Sequence, residues 1–256
     1  MRKLIIFLYN INITLFKRLV PSLLRRIFFI GKTQVIDLNF CKIVLNLKNS
    51  IDREIYLKGY YEKEQIDFLK KVSKKENIEY FLDVGSYIGY YSLCFMNIKN
   101  IYAFEPNIKN FQQLEKNFKL NNINGFIYNV ACSNMSEEKK IWYTNKNKMG
   151  GSAIYKKNDP ELKKYDKNKI IFENIQTKRL DEMVKIEGKN LIIKIDVERH
   201  ELDVLKGSCD NILNKNKVIM QIEVQNDLKN KVFSFLESNS FKKIHSIGHD
   251  FYFKNF

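Results

Sequence analysis

Residues 81–89 read Phe-Leu-Asp-Val-Gly-Ser-Tyr-Ile-Gly. An apolar run reaches an acid, then a glycine, and helix-forming residues follow the second glycine. This is the order of a buried strand, a tight turn and a helix start. Gly85 lets the backbone approach a ligand closely. Gly89 allows close helix–strand packing, and the N-terminus of the following helix favours anionic groups. The dinucleotide fingerprint G-x-G-x-x-G is not there. Asp83 at the strand end opposes a pyrophosphate and attracts a cationic amino group instead.

The same alternation continues outward. Apolar runs at 80–84, 101–104, 126–131, 191–197 and 217–224 predict buried strands, and the stretches 88–97, 107–121, 201–213 and 226–239 predict helices. Strand–helix repetition of this kind implies an α/β fold, a doubly wound and mostly parallel sheet of Rossmann-like type. A helix is expected over 61–75, a hairpin over 33–47 turning near Asn39, and a terminal hairpin over 241–254. Residues 135–176 are irregular and hold Gly150-Gly151. They are long for a connection and read either as a flexible active-site loop or as a small strand insert. Residues 1–60 are read as an extension of basic helix and hairpin, and 61–256 as the main domain.

The chain has 256 residues, 45% hydrophobic, enough for a packed core and too apolar for wholesale disorder. Its 44 Lys and Arg against 29 Asp and Glu give a formal charge of +15. Such a balance can mark a nucleic-acid or membrane binder. Abundant Lys and Asn with few Ala, Gly and Pro also match the bias of an AT-rich genome, and that explains most of the excess. Residues 1–30 contain Arg2, Lys3, Lys17, Arg18, Arg25 and Arg26 and no acid. Their apolar clusters are far shorter than the ~18–20 residues of a membrane span. They read as an amphipathic helix lying on an anionic membrane surface, or as a helix packed on the domain. The four cysteines form no C-x-x-C pair, and free thiols suit a reducing compartment. The expected location is the cytoplasm, with contact at the inner face of the membrane through residues 1–30.

Acids recur where strands end. Glu105, in Phe104-Glu105-Pro106-Asn107, lies 22 residues beyond Asp83 (105 − 83). A carboxylate there can accept hydrogen bonds from both hydroxyls of a ribose, and Pro106 suits the first turn of the next helix. The segment Asn129-Val130-Ala131-Cys132-Ser133 would lie beside an adenine. After the fourth strand, Asp196-Val197-Glu198-Arg199-His200-Glu201 gathers groups able to position a substrate hydroxyl and take its proton. Glu223, in Gln221-Ile222-Glu223-Val224, is another acid at a strand end. Acids in place of dinucleotide glycines favour S-adenosylmethionine, whose methionine end carries an ammonium.

Together these segments resemble the FkbM-type methyltransferases, S-adenosylmethionine-dependent enzymes of the Rossmann-like class. The resemblance covers about residues 60–225: Tyr61-Glu62, DVGSYIGYYSL at 83–93, FEPN at 104–107, NVACSN at 129–134, TKRLD at 177–181, IKIDVERHELDVLKG at 193–207 and QIEV at 221–224. The IDVE-x-HE stretch is the specific one. Two residues depart from the family pattern: Tyr87 where Asn is usual, and Arg199 where Gly is usual. A glycine at 199 would allow positive φ, which Arg tolerates poorly.

The resemblance implies O-methylation of a hydroxyl on a sugar, a glycan or a related small molecule. It assigns Asp83, Val84, Gly85, Ser86 and Gly89 to the methionine end of the cofactor, Glu105 and Pro106 to the ribose, and Asn107, Ala131 and Ser133 to the adenine side. Asp196, Glu198 and His200 would line the acceptor side. His200 or Glu198 is the expected general base and Asp196 the group that orients the acceptor. Arg199, Glu201 and Glu223 would touch the acceptor, with Arg199 reaching an anionic substrate or solvent. A Mg²⁺ ion bridging Asp196 and Glu223 is a further expectation. The rival readings are a nucleotide-dependent oxidoreductase, a non-catalytic Rossmann-like binding module, and a nucleic-acid base methyltransferase. The last is disfavoured because the only prolines are Pro21, Pro106 and Pro160, so no N/D-P-P-Y stretch exists.

Overall fold

The computed structural model describes residues 33–144, 152–155, 162 and 166–256. The basic stretch 1–30, Gly150-Gly151 and Pro160 lie outside the described residues. A seven-stranded sheet runs through the molecule. In chain order its strands are β3 (Tyr80–Val84), β4 (Asn100–Phe104), β5 (Phe126–Tyr128), β10 (Asn190–Ile195), β11 (Lys217–Glu223), β12 (Lys242–Ile247) and β13 (Asp250–Lys254). Their spatial order is β12-β13-β11-β10-β3-β4-β5. All run parallel except β13, which pairs antiparallel with both β11 and β12. The chain moves outward from β3 to β4 and β5, then returns to the other side of β3 at β10. The order therefore reverses between β3 and β10, where an open parallel sheet forms its ligand crevice. The doubly wound architecture is the one the strand–helix alternation predicts.

Apolar side chains alternate to the two sheet faces. One face carries Phe81, Ile101, Ile192 and Tyr252 and packs on α1 (Ser50–Lys58), α2 (Lys63–Ser73), α3 (Tyr90–Cys94) and α4 (Ile108–Leu120). The other carries Leu82, Phe104, Ile193 and Met220 and packs on α5 (Leu180–Met183), α6 (Glu201–Lys206) and α7 (Lys229–Ser238). The hairpin of β1 (Thr33–Asp37) and β2 (Lys42–Asn46) turns at Asn39, in left-handed backbone. Ile43 and Leu45 of this hairpin and Ile55 of α1 enter the same core as α2–α4. Asn117 of α4 accepts from the Val44 amide at 2.6 Å, and Gln113 donates to the Val44 carbonyl at 2.8 Å. A boundary at residue 60 thus divides elements that share one core.

Several segments differ from the pattern read off the sequence. The run 126–131 divides: β5 stays in the main sheet, while β6 (Ala131–Cys132) joins a second sheet of order β6-β9-β7-β8, with β7 (Glu137–Thr144), β8 (Ala153–Ile154) and β9 (Ile170–Lys178). Asn129 marks the break, its side-chain amide donating to the Glu105 and Pro106 carbonyls at 2.9 Å each. The irregular segment 135–176 therefore contains a strand insert. The helix predicted over 201–213 breaks at Gly207, where a Cβ would lie 1.9 Å from the Ser133 carbonyl oxygen, and continues as a π-turn over Cys209–Leu213. Helix α1 has no counterpart in the sequence reading.

Candidate active site

At the carboxyl ends of β3, β4 and β10 lies a cleft of about 890 Å³, including its open mouth. Its floor is the turn after β3. Gly85 (φ +79°) and Ser86 both donate to the Phe104 carbonyl at 3.0 Å, and the Asp196 amide donates to the Val84 carbonyl at 3.0 Å. A Cβ on Gly85 would stand 1.9 Å from the Asp196 carbonyl oxygen. The glycine is therefore required by the neighbouring strand as well as by the turn. Gly89 (φ +82°) lies outside the cleft lining, and its missing Cβ makes room for Leu114 of α4, so the close packing it allows is helix on helix. Ser86 lines the cleft, is 5% exposed, and its hydroxyl has no hydrogen-bond partner among the described residues.

Asp83 does not reach the cleft. It is fully buried behind the turn and accepts from the Ser92 amide at 3.1 Å and hydroxyl at 2.7 Å. Val84 also points into the core. Glu105 does line the cleft. Its Oε2 accepts from the Tyr87 amide at 3.0 Å, and its Oε1 from the Asn107 amide at 2.9 Å and the Asn110 side chain at 3.3 Å. Burial, partly offset by these donors, pushes its carboxyl up to about 7. Pro106 and Ala131 join Phe104, Val130, Cys132, Ile141 and Ile154 in an apolar slot next to Glu105. Asn107 is not in the lining. It caps α4, accepting from the amides of Lys109 and Asn110 at 3.0 and 3.2 Å, and Asn110 takes its place in the wall.

The opposite wall follows β10. Asp196, Val197, Glu198 and His200 line it. Glu198 and Arg199 both sit in left-handed backbone, at φ +47° and +72°, so the non-glycine residue at 199 adopts the strained geometry. Arg199 turns away from the cleft and pairs with Asp227 in the loop before α7; it is not placed to meet an acceptor there. Glu201 is buried and accepts from the Arg199 amide at 2.8 Å, which braces the turn instead of lining the cleft. Ser133 is buried too, with its hydroxyl 2.9 Å from His200 Nε2, while His200 Nδ1 lies 3.1 Å from Asp203. The imidazole is thus set between a hydroxyl on Nε2 and a carboxylate facing Nδ1.

The sequence reading missed Lys194. It is 5% exposed, lines the cleft, and donates to Asp196 Oδ2 at 2.9 Å. Burial pulls the ammonium's pKa down, but Asp196, Asp83 and Glu62 outweigh that and hold it above the ordinary lysine value. A lysine inside the apolar frame Leu191-Ile192-Ile193-Lys194-Ile195 was the signal available. The Mg²⁺ ion expected between Asp196 and Glu223 finds no support: the Lys194 ammonium already donates to the Asp196 carboxylate. Among the described residues no group of three or more His, Cys, Asp or Glu side chains is arranged to hold a metal ion. Tyr87 was singled out only as a departure. Its hydroxyl donates to buried Asp52 at 2.6 Å, and its ring lines the cleft with Tyr61, Tyr90 and Tyr91.

The Methyltransferase FkbM domain matches residues 83–246. The chain belongs to this family. That membership sets aside the oxidoreductase reading. The chain is 26% identical over 168 residues to the hexuronic acid methyltransferase AglP of Haloferax volcanii, covering 66% of this chain and 65% of that protein. It is 28% identical over 178 residues to Methyltransferase 1 of Beauveria bassiana, covering 62% of this chain and 67% of that one. The chain thus spans just under two thirds of the first of these relatives. The crystal structure of M. jannaschii TYW2 in complex with AdoMet aligns at a TM-score of 0.44 and 13% identity, over 88% of this chain and 84% of that one. Among the described residues, no helix is long and apolar enough to cross a membrane.

Proposed function

We propose that the chain is an S-adenosylmethionine-dependent methyltransferase acting on a hydroxyl of a sugar or glycan. The observation that carries this is the arrangement of one cleft: Glu105 and an apolar slot at one end, the Gly85–Ser86 turn between, and Asp196, Glu198 and His200 at the other. Its residues suit the cofactor. The buried Ser86 hydroxyl lacks a partner, and such atoms mark a place for a ligand or water. Glu105 Oε2 accepts one hydrogen bond within the protein and keeps acceptor capacity toward a ribose hydroxyl. The slot of Phe104, Val130, Ala131 and Ile154 suits a flat purine. The relative named for a hexuronic acid supports a sugar-type acceptor.

Bound S-adenosylmethionine supplies an already activated methyl, which leaves alignment and one proton to the protein. Lys194 holds the Asp196 side chain in place through Oδ2, and Asp196 accepts a hydrogen bond from the acceptor hydroxyl and orients it. Glu198 is the general base in this reading, because it lines the cleft while the His200 imidazole is set between Ser133 and Asp203. His200 then acts as a positioning residue, tying Ser133 to the turn before α6. The test is transfer of labelled methyl to a panel of hydroxylated saccharides. Glu198→Gln should lower turnover by about 10²–10⁴-fold, the usual scale of general base catalysis, with S-adenosylhomocysteine binding unchanged. Full turnover in Glu198→Gln removes it as the base, and cofactor binding without transfer to any hydroxyl contradicts the proposal.

A further inference from the structure

Beyond Asp196 the sheet carries two polar rows on one face. Strand register sets Asp83, Lys194, Gln221 and Tyr252 side by side across β3, β10, β11 and β13. One step nearer the strand ends, Glu223 pairs in register with Asp250, and Asp196 follows β10 beside them. Glu62, at the start of α2, closes the group from above, accepting from the Tyr91 hydroxyl at 2.6 Å. Gln221 donates to Tyr91 and to Asp250, both at 2.9 Å.

Charge is unbalanced here. Glu62, Asp83, Asp196, Glu223 and Asp250 interact with one another or with the same lysine, and Lys194 is the cation that faces them. Its ammonium is engaged, donating to Asp196 and lying 4.9 Å over the Tyr91 ring. Burial, then repulsion by Asp196, Asp250 and Glu198, pushes Glu223 up to about 8, as a surplus of carboxylates dictates. A second observation points to a ligand. Gln221 is 0% exposed and its Oε1 has no hydrogen-bond partner among the described residues; the Tyr252 hydroxyl, equally buried, has none there either. Gln221 Oε1 can only accept, so what completes it is a donor, and the surrounding carboxylates favour a donor with positive charge.

We propose that Glu62, Glu223, Asp250 and Gln221, which adjoin Asp196 and Lys194 of the cleft wall without lining the cleft themselves, form a subsite for a protonated amine on the acceptor, so that the sugar methylated on its hydroxyl is an aminated one. This rests on the methyltransferase reading above. The amine is held as ammonium and is a handle, because a protonated amine has no lone pair with which to attack a methyl. A uronic acid brought to the same wall would meet like charge, and Arg199, which could have answered it, is turned to Asp227.

The experiment titrates protein saturated with S-adenosylhomocysteine with D-glucosamine, D-glucose and D-glucuronate, read by ligand-observed NMR near neutral pH. Glucosamine should bind about tenfold or more tighter than glucose, the scale of a partly buried charge contact, with glucuronate weakest. Glu223→Gln should reduce that preference and leave the Kd of S-adenosylhomocysteine unchanged. Equal binding of the three sugars, no binding of any, or a preference for glucuronate overturns the subsite while the methyltransferase reading stands. If Glu223→Gln instead weakens S-adenosylhomocysteine, the subsite serves the cofactor's own ammonium and the proposal falls. Failure of S-adenosylhomocysteine to bind the unaltered protein overturns the underlying reading itself.

Discussion

Tyr87 and Arg199 occupy left-handed backbone at φ +51° and +72°, a region that costs a side-chain-bearing residue about 1–2 kcal/mol. What each receives in return differs. Arg199 forms an ion pair with half-exposed Asp227, a class worth about 0–1 kcal/mol. Tyr87 is partly buried, packs against the core and bonds Asp52. Arg199→Gly should therefore leave stability within about 1 kcal/mol of the parent, since released strain offsets the lost pair and the added chain entropy. Tyr87→Gly should cost about 3 kcal/mol or more, as large buried truncations do. Urea unfolding of the two variants checks the contrast, and equal losses would contradict it. Glu223 gives a pH prediction at the same scale. Its carboxyl rises from an ordinary value near 4.5 to about 8 in the folded chain. The folded state holds this proton more tightly than the unfolded one, so the contribution to stability is complete below about 4.5 and is lost as pH rises through about 8. Unfolding midpoints measured from pH 5 to 9 should fall, and Glu223→Gln should flatten part of that fall.

Among the elements, the strand ends bring the candidate site residues to the cleft, and glycines set how closely they meet. Gly207 has ordinary backbone, yet a Cβ there would press into the Ser133 carbonyl. Gly207→Ala should push α6 away from β6, lengthen the 2.9 Å Ser133–His200 contact and lower the melting temperature by several degrees, about 4 °C or less per kcal/mol in a chain of this size. An unchanged melting temperature would show that the turn yields freely. The sequence was most legible at these ends. Glu105, Asp196, Glu198 and His200 each followed an apolar run and do line the cleft. Asp83 followed one too but faces α3, because whether the last residues of a strand point to ligand or to core depends on the pleat and the turn beyond it. Lys194 stayed hidden inside an apolar run, since a buried charge is explained only by partners distant in sequence. The insert of β7–β9 was open between two readings because its strands are polar on their outward face, as the mixed burial of β9 shows.

For the whole molecule, the sequence carries a formal charge of +15, while the strand ends at Asp196, Glu223 and Asp250 gather carboxylates. Strand order made the cleft, because the reversal between β3 and β10 opens the sheet where the two acid-bearing ends diverge. The order itself was not legible in the sequence, which shows alternation but not which strands become neighbours. The antiparallel β13, set between β11 and β12, brings Asp250 and Tyr252 to the polar rows from the far end of the chain.

The central claim is that this cleft holds S-adenosylmethionine with Glu105 on the ribose. Calorimetry with S-adenosylmethionine, S-adenosylhomocysteine and NAD, on the parent chain and on Glu105→Ala, tests it most directly. The account predicts one site for the first two ligands, none for NAD, and binding weakened at least about tenfold in Glu105→Ala, equivalent to ~1.4 kcal/mol. Absence of binding to either sulfur ligand, or an unchanged Kd in a folded Glu105→Ala variant, would contradict it.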